Sequence, residues 1–140
     1  MSHEKNEKGS ILELARYRLQ VAKEDLETAI DNEKAGHLRA ANNRAYYAIY
    51  HAITAVLALE GIAYKKHKDT LGYFNKTYVK EEIFPKSLGH RIAIAEEVRH
   101  NSDYDEFYIV SREETEKQIQ TATELINEVE KFLDKKQEKR

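Results

Sequence analysis

The chain has 140 residues, of which 41% are hydrophobic and 34% are charged, and its formal net charge is −2. This length fits one domain. Five glycines and one proline argue against all-β and doubly wound folds, because both need many tight turns. The absence of cysteine excludes disulfides and thiolate chemistry and favours a reducing, cytoplasmic compartment. The small net charge excludes a global field that would attract nucleic acid, so RNA binding would need a local basic patch.

The first part of the chain predicts a polar segment followed by one amphipathic helix. Residues 1–9 contain no apolar run, so we expect a disordered segment and no signal peptide. Ser10 and Glu13 are spaced as a capping box that would start a helix over residues 10–34, and Gly36 would stop it. Its apolar positions recur at three- and four-residue steps, as one buried stripe requires: Ala15, Leu19, Ala22, Leu26 and Ala29.

A second helix is predicted over residues 37–60, with Gly61 as its stop. One face carries small residues at helical spacing, namely Ala41, Ala45, Ala48, Ala52 and Ala55. Tyrosines and isoleucines widen the apolar arc around most of the helix, which is typical of a central, buried helix. The mostly apolar stretch 45–59 is short for a membrane span and is followed by Glu60, so we expect no membrane association.

The remaining chain predicts further helices. A basic run at residues 65–68 precedes a short helix over 70–79, and Pro85 suits the first turn of a helix over 85–102. A loop over 101–110 leads to a last helix, which Ser111 and Glu114 would cap and which would run to residue 136. Residues 137–140 are expected to be a frayed tail. Together these elements predict an all-α, up-and-down bundle of four to five helices over residues 10–136. Neighbouring helices would be antiparallel, because the connections between them are short.

Arg99 is the first candidate functional residue, because it lies on the last turn of a predicted helix beside His100. Asp103 lies four residues on and would pair with it if the helix continued, and Tyr104 follows. A planar guanidinium near a histidine and a carboxylate suits the binding of a phosphodiester. The alternative is an Arg–Asp pair that only closes a helix end.

A second set of candidates lies on the second helix. Asn43, Tyr47 and Tyr50 follow one another at four- and three-residue steps, so they share one side of the helix. They would line a wet cleft, or they would be core tyrosines whose hydroxyls find partners at the bundle edge. Arg44 and His51 lie about two turns apart, and we do not expect their side chains to converge.

Metal and cofactor motifs are not found in the sequence. No His-x-x-x-His pair and no glycine-rich phosphate loop occur, so we expect neither a metal site nor a cofactor. The basic run 65–68 is expected to be a solvated loop, or a patch that contacts phosphates if the protein binds RNA.

Residues 42–51 (NNRAYYAIYH) and 99–104 (RHNSDY) together resemble the HEPN domain family, and most closely its small stand-alone branch known as UPF0332. That branch has an Asn-Arg-Ala-Tyr-Tyr-Ala stretch on its second helix and an Arg-x-x-x-Asp-Tyr stretch after its third. The resemblance covers nearly the whole chain. It implies an up-and-down helical bundle that commonly dimerises.

The resemblance also implies a function. Many HEPN domains are metal-independent ribonucleases whose motif is an Arg, a polar residue and then a His four to six residues after the Arg. Many stand-alone members act as the toxin beside a minimal nucleotidyltransferase antitoxin, which in some pairs adds AMP to a tyrosine near the motif. Arg99 matches the motif Arg and His100 the polar residue, while Tyr104 stands where a four-residue spacing would put the His.

Three functions follow as expectations. The first is a homodimer that pairs with a minimal nucleotidyltransferase and binds a nucleotide or RNA phosphate at a dimer cleft, through Asn43, Tyr47, Arg99 and Asp103. The second is an active endoribonuclease toxin, in which Arg99 stabilises the transition state and His100 or Tyr104 transfers the proton. The third is a structural helical adaptor. Tyr104 and Tyr108 are the candidate targets of modification.

Overall fold

The computed structural model describes the backbone of residues 2–138 and the side chains of residues 9–138. Its helices, named here in chain order, are α1 (Ser2–Lys34), α2 (Leu38–Ala58), α3 (His67–Phe74), α4 (Lys86–Tyr104) and α5 (Arg112–Glu138). A π-helical segment, Asn75–Val79, continues α3. No strand occurs in this part of the chain, so the prediction of an all-α, five-helix bundle is confirmed.

Helices α1, α2 and α5 form the centre of the bundle. Helix α2 packs against both α1 and α5, and its alanine face is completely buried. Contacts between α1 and α5 join Arg16 to Asp134 at 2.7 Å and Lys23 to Glu130 at 2.6 Å, so these two helices are antiparallel. The small side chains explain the arrangement, because they let helix backbones approach closely.

The α3–α4 region closes one side of this centre through aromatic packing. The ring of Phe74 lies 5.2 Å from that of Phe84, which in turn lies 5.3 Å from Phe132 on α5. Gly89 on α4 is required by a close approach, since a Cβ there would meet the Val79 side chain at 2.9 Å. The π-helical segment therefore packs directly against α4.

The ends of the helices agree with several predictions and correct one. Gly36 and Gly61 have φ angles of +82° and +69°, the left-handed conformation in which glycine ends a helix. The capping box of α5 is confirmed: the Glu114 N–H donates to Ser111 Oγ at 3.0 Å, and the Ser111 N–H donates to Glu114 Oε1 at 3.2 Å.

The predicted start of α1 at Ser10 is wrong, because the helix begins at Ser2 and Ser10 lies inside it. The helix at residues 2–9 also differs from the disordered segment predicted for residues 1–9. Glutamate and lysine dominate these residues, and both continue a helix readily once the following turns are fixed by packing. The predicted bounds of the bundle, residues 10–136, stay a prediction. Of the predicted frayed tail, residues 137–140, the last two lie outside the described residues.

None of these helices is both long enough and apolar enough to cross a bilayer.

Candidate functional site

Arg99 lies near the end of α4, where its guanidinium packs on aromatic rings of α2. The Cζ atom is 5.1 Å from the centroid of Tyr46 and 5.8 Å from that of Tyr47. On the same helix, Asp103 Oδ2 lies 3.0 Å from Arg99 Nε, because α4 continues to Tyr104 and places the two residues one turn apart. The pairing predicted from the sequence is therefore present.

The guanidinium keeps unused hydrogen-bonding capacity. Although Asp103 is close, the Nε–H does not point at its carboxylate, and this buried donor has no hydrogen-bond partner among the described residues. The Nη2 atom makes a long contact of 3.5 Å with the Tyr47 hydroxyl. An arginine has five N–H donors, and its side chain is still 20% exposed. Its terminal N–H groups, unlike the buried Nε–H, can therefore donate hydrogen bonds to an anionic ligand.

Three tyrosines of α2 form an aromatic cluster, and the rings of Tyr46 and Tyr47 lie under Arg99. Tyr46 is buried, and its ring stacks with that of Tyr50 at 6.4 Å and meets Tyr47 edge-on at 5.4 Å. Burial, followed by the charge of Glu96, raises the pKa of Tyr46 well above its usual value. The Tyr46 hydroxyl therefore stays protonated and neutral at physiological pH.

His67, at the start of α3, completes this cluster, and the sequence analysis did not single it out. Its ring stacks on Tyr50 at 3.9 Å, and its Nδ1 lies 3.1 Å from the Tyr46 hydroxyl. Burial, then the positive charge of Arg99 and the nearby His51, lower the pKa of His67 below 6.5. The imidazole is therefore mostly neutral at pH 7. Only the fold unites it with Arg99, since the two residues are far apart in sequence.

Asp25, Arg44 and His51 form a triad beside the tyrosines. The expectation that Arg44 and His51 do not converge was therefore wrong. Arg44 Nη1 lies 3.1 Å from Asp25 Oδ1, and His51 Nδ1 lies 2.7 Å from Asp25 Oδ2. Arg44 and His51 do converge, because residues seven apart share one face of a helix and α1 supplies a carboxylate between them. The Arg44 guanidinium also lies 4.8 Å above the Tyr47 ring.

Two open grooves adjoin this cluster. One, of about 710 Å³, is lined by Arg39, Asn43, Arg44 and Asp103. A second of the same volume combines Arg39 with three acidic residues and two aromatic ones, namely Asp103, Asp105, Glu106, Tyr104 and Phe107. Asn43 Oδ1 accepts a hydrogen bond from Arg44 Nη2 at 3.0 Å. The structure thus brings together four predicted residues, Asn43, Tyr47, Arg99 and Asp103.

The other predicted residues lie apart from Arg99. His100 is exposed, and its ring packs against Tyr104 at 4.8 Å. Tyr104 is 73% exposed. The hydroxyl of Tyr108 instead donates to Glu114 on α5, and this hydrogen bond raises the pKa of Tyr108 to about 12. His100 and Tyr104 therefore form a surface pair at the rim of the groove, and Tyr108 belongs to the start of α5.

Arg39 fixes the segment that follows α4. Its guanidinium donates to the carbonyl oxygens of Ser102 and Tyr108, the latter at 2.9 Å. No carboxylate pairs with Arg39 within residues 9–138, and the same holds for Lys65, Lys66 and Lys68 near His67. Within the same residues, no three acidic or histidine side chains gather as a metal site.

The fold and the site together define a class of protein. It is a helical bundle in which an arginine and an Asp-Tyr pair at the end of α4 face an Arg-Ala-Tyr-Tyr stretch on α2. The family model of the HEPN domain matches residues 15–132, and the chain belongs to this family. A "UPF0332 protein" of Thermotoga maritima is 31% identical over 129 residues, 92% of this chain and 96% of the relative. The chain therefore falls in the UPF0332-like branch.

More distant relatives carry a functional name. "Putative toxin MJ0605" of Methanocaldococcus jannaschii is 28% identical over 84% of this chain and 81% of its own length. "Putative toxin MJ0142" of the same organism is 29% identical over 65% of this chain and 62% of its own length. The HEPN family to which the chain belongs thus includes relatives named as putative toxins.

Proposed function

We propose that this protein is the HEPN partner of a minimal nucleotidyltransferase in a cytoplasmic toxin–antitoxin pair, and that it binds a nucleotide or RNA phosphate at Arg99. The relatives named as toxins support the first part. The observation that carries the second is the state of the guanidinium: it is held over two aromatic rings, its side chain is 20% exposed, and Asp103 is its one salt-bridge partner among the described residues.

The surroundings of Arg99 favour an anion with attached bases. Arginine binds phosphate oxygens through two parallel N–H groups, and aromatic faces stack with nucleobases in a way that tolerates any sequence. Arg39 and Arg44 line the adjoining groove, and the lysines at residues 65, 66 and 68 flank His67. This is the local basic patch that a chain of net charge −2 needs in order to approach RNA.

We infer further that two copies bring their Arg99 sites together. Phe107 and Ile109 are 85% and 84% exposed on the segment after α4, and Phe107 lines the groove at Asp103. Large side chains rarely stand so exposed together on a monomer surface. Contact between two copies across this segment would cover them and turn the open groove into a cleft.

Substitution of Arg99 tests the binding proposal. Arg99→Gln removes the charge but keeps a polar side chain, and we expect the affinity for a single-stranded RNA oligonucleotide to fall at least tenfold, because the loss of one charged contact costs about 1.5–3 kcal/mol. Fluorescence anisotropy measures this. The matched control is Arg16→Gln, since Arg16 forms a surface ion pair with Asp134 on the far part of the bundle. Equal affinities of both variants would refute the proposal.

An active endoribonuclease is the second candidate function, and one observation favours it. Neither His100 nor Tyr104 contacts Arg99, but His67 lies against the same two tyrosine rings as the guanidinium.

A further inference from the structure

We propose that, in the RNA cleavage given above as the second candidate function, His67 is the catalytic residue that transfers the proton at the Arg99 site. This inference rests on the proposed binding of an RNA phosphate at Arg99. It replaces the roles expected for His100 and Tyr104 with a histidine from a different helix.

The position of His67 supports this role first. Its ring lies 5.8 Å from Tyr46 and 5.7 Å from Tyr47, and the Arg99 guanidinium lies above the same two rings. The imidazole and the guanidinium therefore belong to one cluster, in which the charge of Arg99 acts on the imidazole. His100, in contrast, packs against the exposed Tyr104.

The hydrogen bonding of His67 leaves one nitrogen available. Nδ1 faces the buried Tyr46 hydroxyl at 3.1 Å, and the stack on Tyr50 fixes the ring plane. Nε2 has no partner among the described residues, and it is not among their buried, unsatisfied polar atoms. Two tautomers fit this contact. The one in which Nδ1–H donates to the Tyr46 oxygen leaves the free electron pair on Nε2, where it can accept a proton from a ligand.

The charge state of His67 fits a general base. Groups that face it from neighbouring helices are the three tyrosines of α2, His51 and Arg99. Burial, Arg99 and His51 all keep the pKa of His67 below 6.5. The imidazole is therefore already neutral at the pH at which a base must act.

The reaction balances without a metal or a further reagent. Nε2 takes the proton of a ribose 2′-hydroxyl, and the 2′-oxygen forms a bond to the adjacent phosphorus. The bond from phosphorus to the 5′-oxygen breaks, and that oxygen takes the proton back from the imidazolium. Arg99 stabilises the extra negative charge on the phosphoryl oxygens. The products are a 2′,3′-cyclic phosphate and a 5′-hydroxyl.

The experiment compares cleavage with binding in the same variants of the full chain. The substrate is a single-stranded oligonucleotide with one ribose in a DNA background, incubated with EDTA, and mass spectrometry identifies the product ends. His67→Gln should lower kcat at least about 100-fold, the usual contribution of a general acid–base residue, with RNA affinity nearly unchanged. Tyr46→Phe keeps the ring and should cause a smaller loss of kcat, because the imidazole tautomer is no longer fixed.

Two controls separate this inference from others. His90→Gln changes an exposed histidine of α4 and should leave cleavage unchanged, and an all-DNA substrate should not be cut. For the wild type, log kcat/KM should rise with pH and level off before pH 6.5. Circular dichroism shows whether each variant is folded.

Two results would overturn the inference. One is a folded His67→Gln variant that cleaves at the wild-type rate. The other is a wild-type protein that cuts no RNA at any pH yet still binds it through Arg99, which would leave the proposed function standing. Loss of Arg99-dependent binding would instead refute the proposed function itself.

Discussion

Arg99 and Asp103 form an ion pair that is well suited to being shared with a ligand. Pairs of this spacing on a helix contribute only about 0.3–0.5 kcal/mol, so an incoming phosphate can compete for the guanidinium at little cost. The tyrosine rings restrain the planar group in place, and the contact from Nη2 to the Tyr47 hydroxyl is long, at 3.5 Å. Binding at this residue therefore needs little rearrangement.

Tyr104 is the tyrosine that we expect the partner enzyme to modify. Its side chain is 73% exposed at the rim of the groove, whereas the Tyr108 hydroxyl is held by Glu114. If the proposed pairing holds, co-expression with a minimal nucleotidyltransferase should yield a complex that co-purifies, and this chain should gain the mass of one AMP group at Tyr104. Intact-mass and peptide mass spectrometry measure both.

Matched phenylalanine variants control that experiment. Tyr104→Phe should abolish the mass increase while the complex still forms, and Tyr108→Phe should leave the increase unchanged. Transfer of AMP to Tyr108 instead, or the absence of any complex, would contradict the assignment.

The sequence could predict part of this site because those residues belong to two local stretches. Arg99 and Asp103 are one turn apart on one helix, and Asn43 and Tyr47 are likewise one turn apart on another, so helical periodicity groups each pair. His67 and Asp25 could not be found in this way. Their partners lie on other helices, and only packing of α1 and α3 against α2 brings them within contact distance.

At the scale of helices, hydrophobic periodicity predicted four long helices, because long amphipathic stripes leave few alternatives. The stripe of α1 is buried as expected, at Ala15, Leu19, Ala22 and Ala29. Helix ends were harder to predict. Ser10 and Ser111 both carry a glutamate three residues on, but only Ser111 follows a loop and caps a helix.

That difference gives a prediction about stability. Ser111→Ala removes the side-chain oxygen that accepts the Glu114 N–H, and we expect the free energy of unfolding to fall by about 1 kcal/mol. Urea denaturation followed by circular dichroism measures the loss. Ser10→Ala is the control, and it should be neutral or slightly stabilising, since alanine favours a helix interior. Equal destabilisation by both substitutions would refute this account of the two ends.

At the scale of the whole molecule, the exposed segment after α4 predicts a dimer. Replacing Phe107 and Ile109 together by serine removes two large apolar side chains that contribute little to the monomer core. We expect the wild type to sediment as a dimer and this double variant as a monomer with unchanged helix content, because burial of apolar area drives such contacts. Analytical ultracentrifugation distinguishes the two states.

Ile83→Ser provides the control for the dimer. Ile83 is 52% exposed but lies near Leu59 and Phe132, at the other end of the bundle. This substitution should leave the dimer intact. A monomeric wild type, or a double variant that still dimerises, would show that the segment serves another purpose.

The measurement that tests the central claim most directly is the salt dependence of RNA binding. Each phosphate contact that a protein loses lowers the slope of log K against log salt concentration by roughly 0.7 for a single strand. Arg99→Gln should therefore have a shallower slope than the wild type by about that amount, and Arg16→Gln should keep the wild-type slope. An unchanged slope in Arg99→Gln would contradict the claim that this guanidinium binds phosphate.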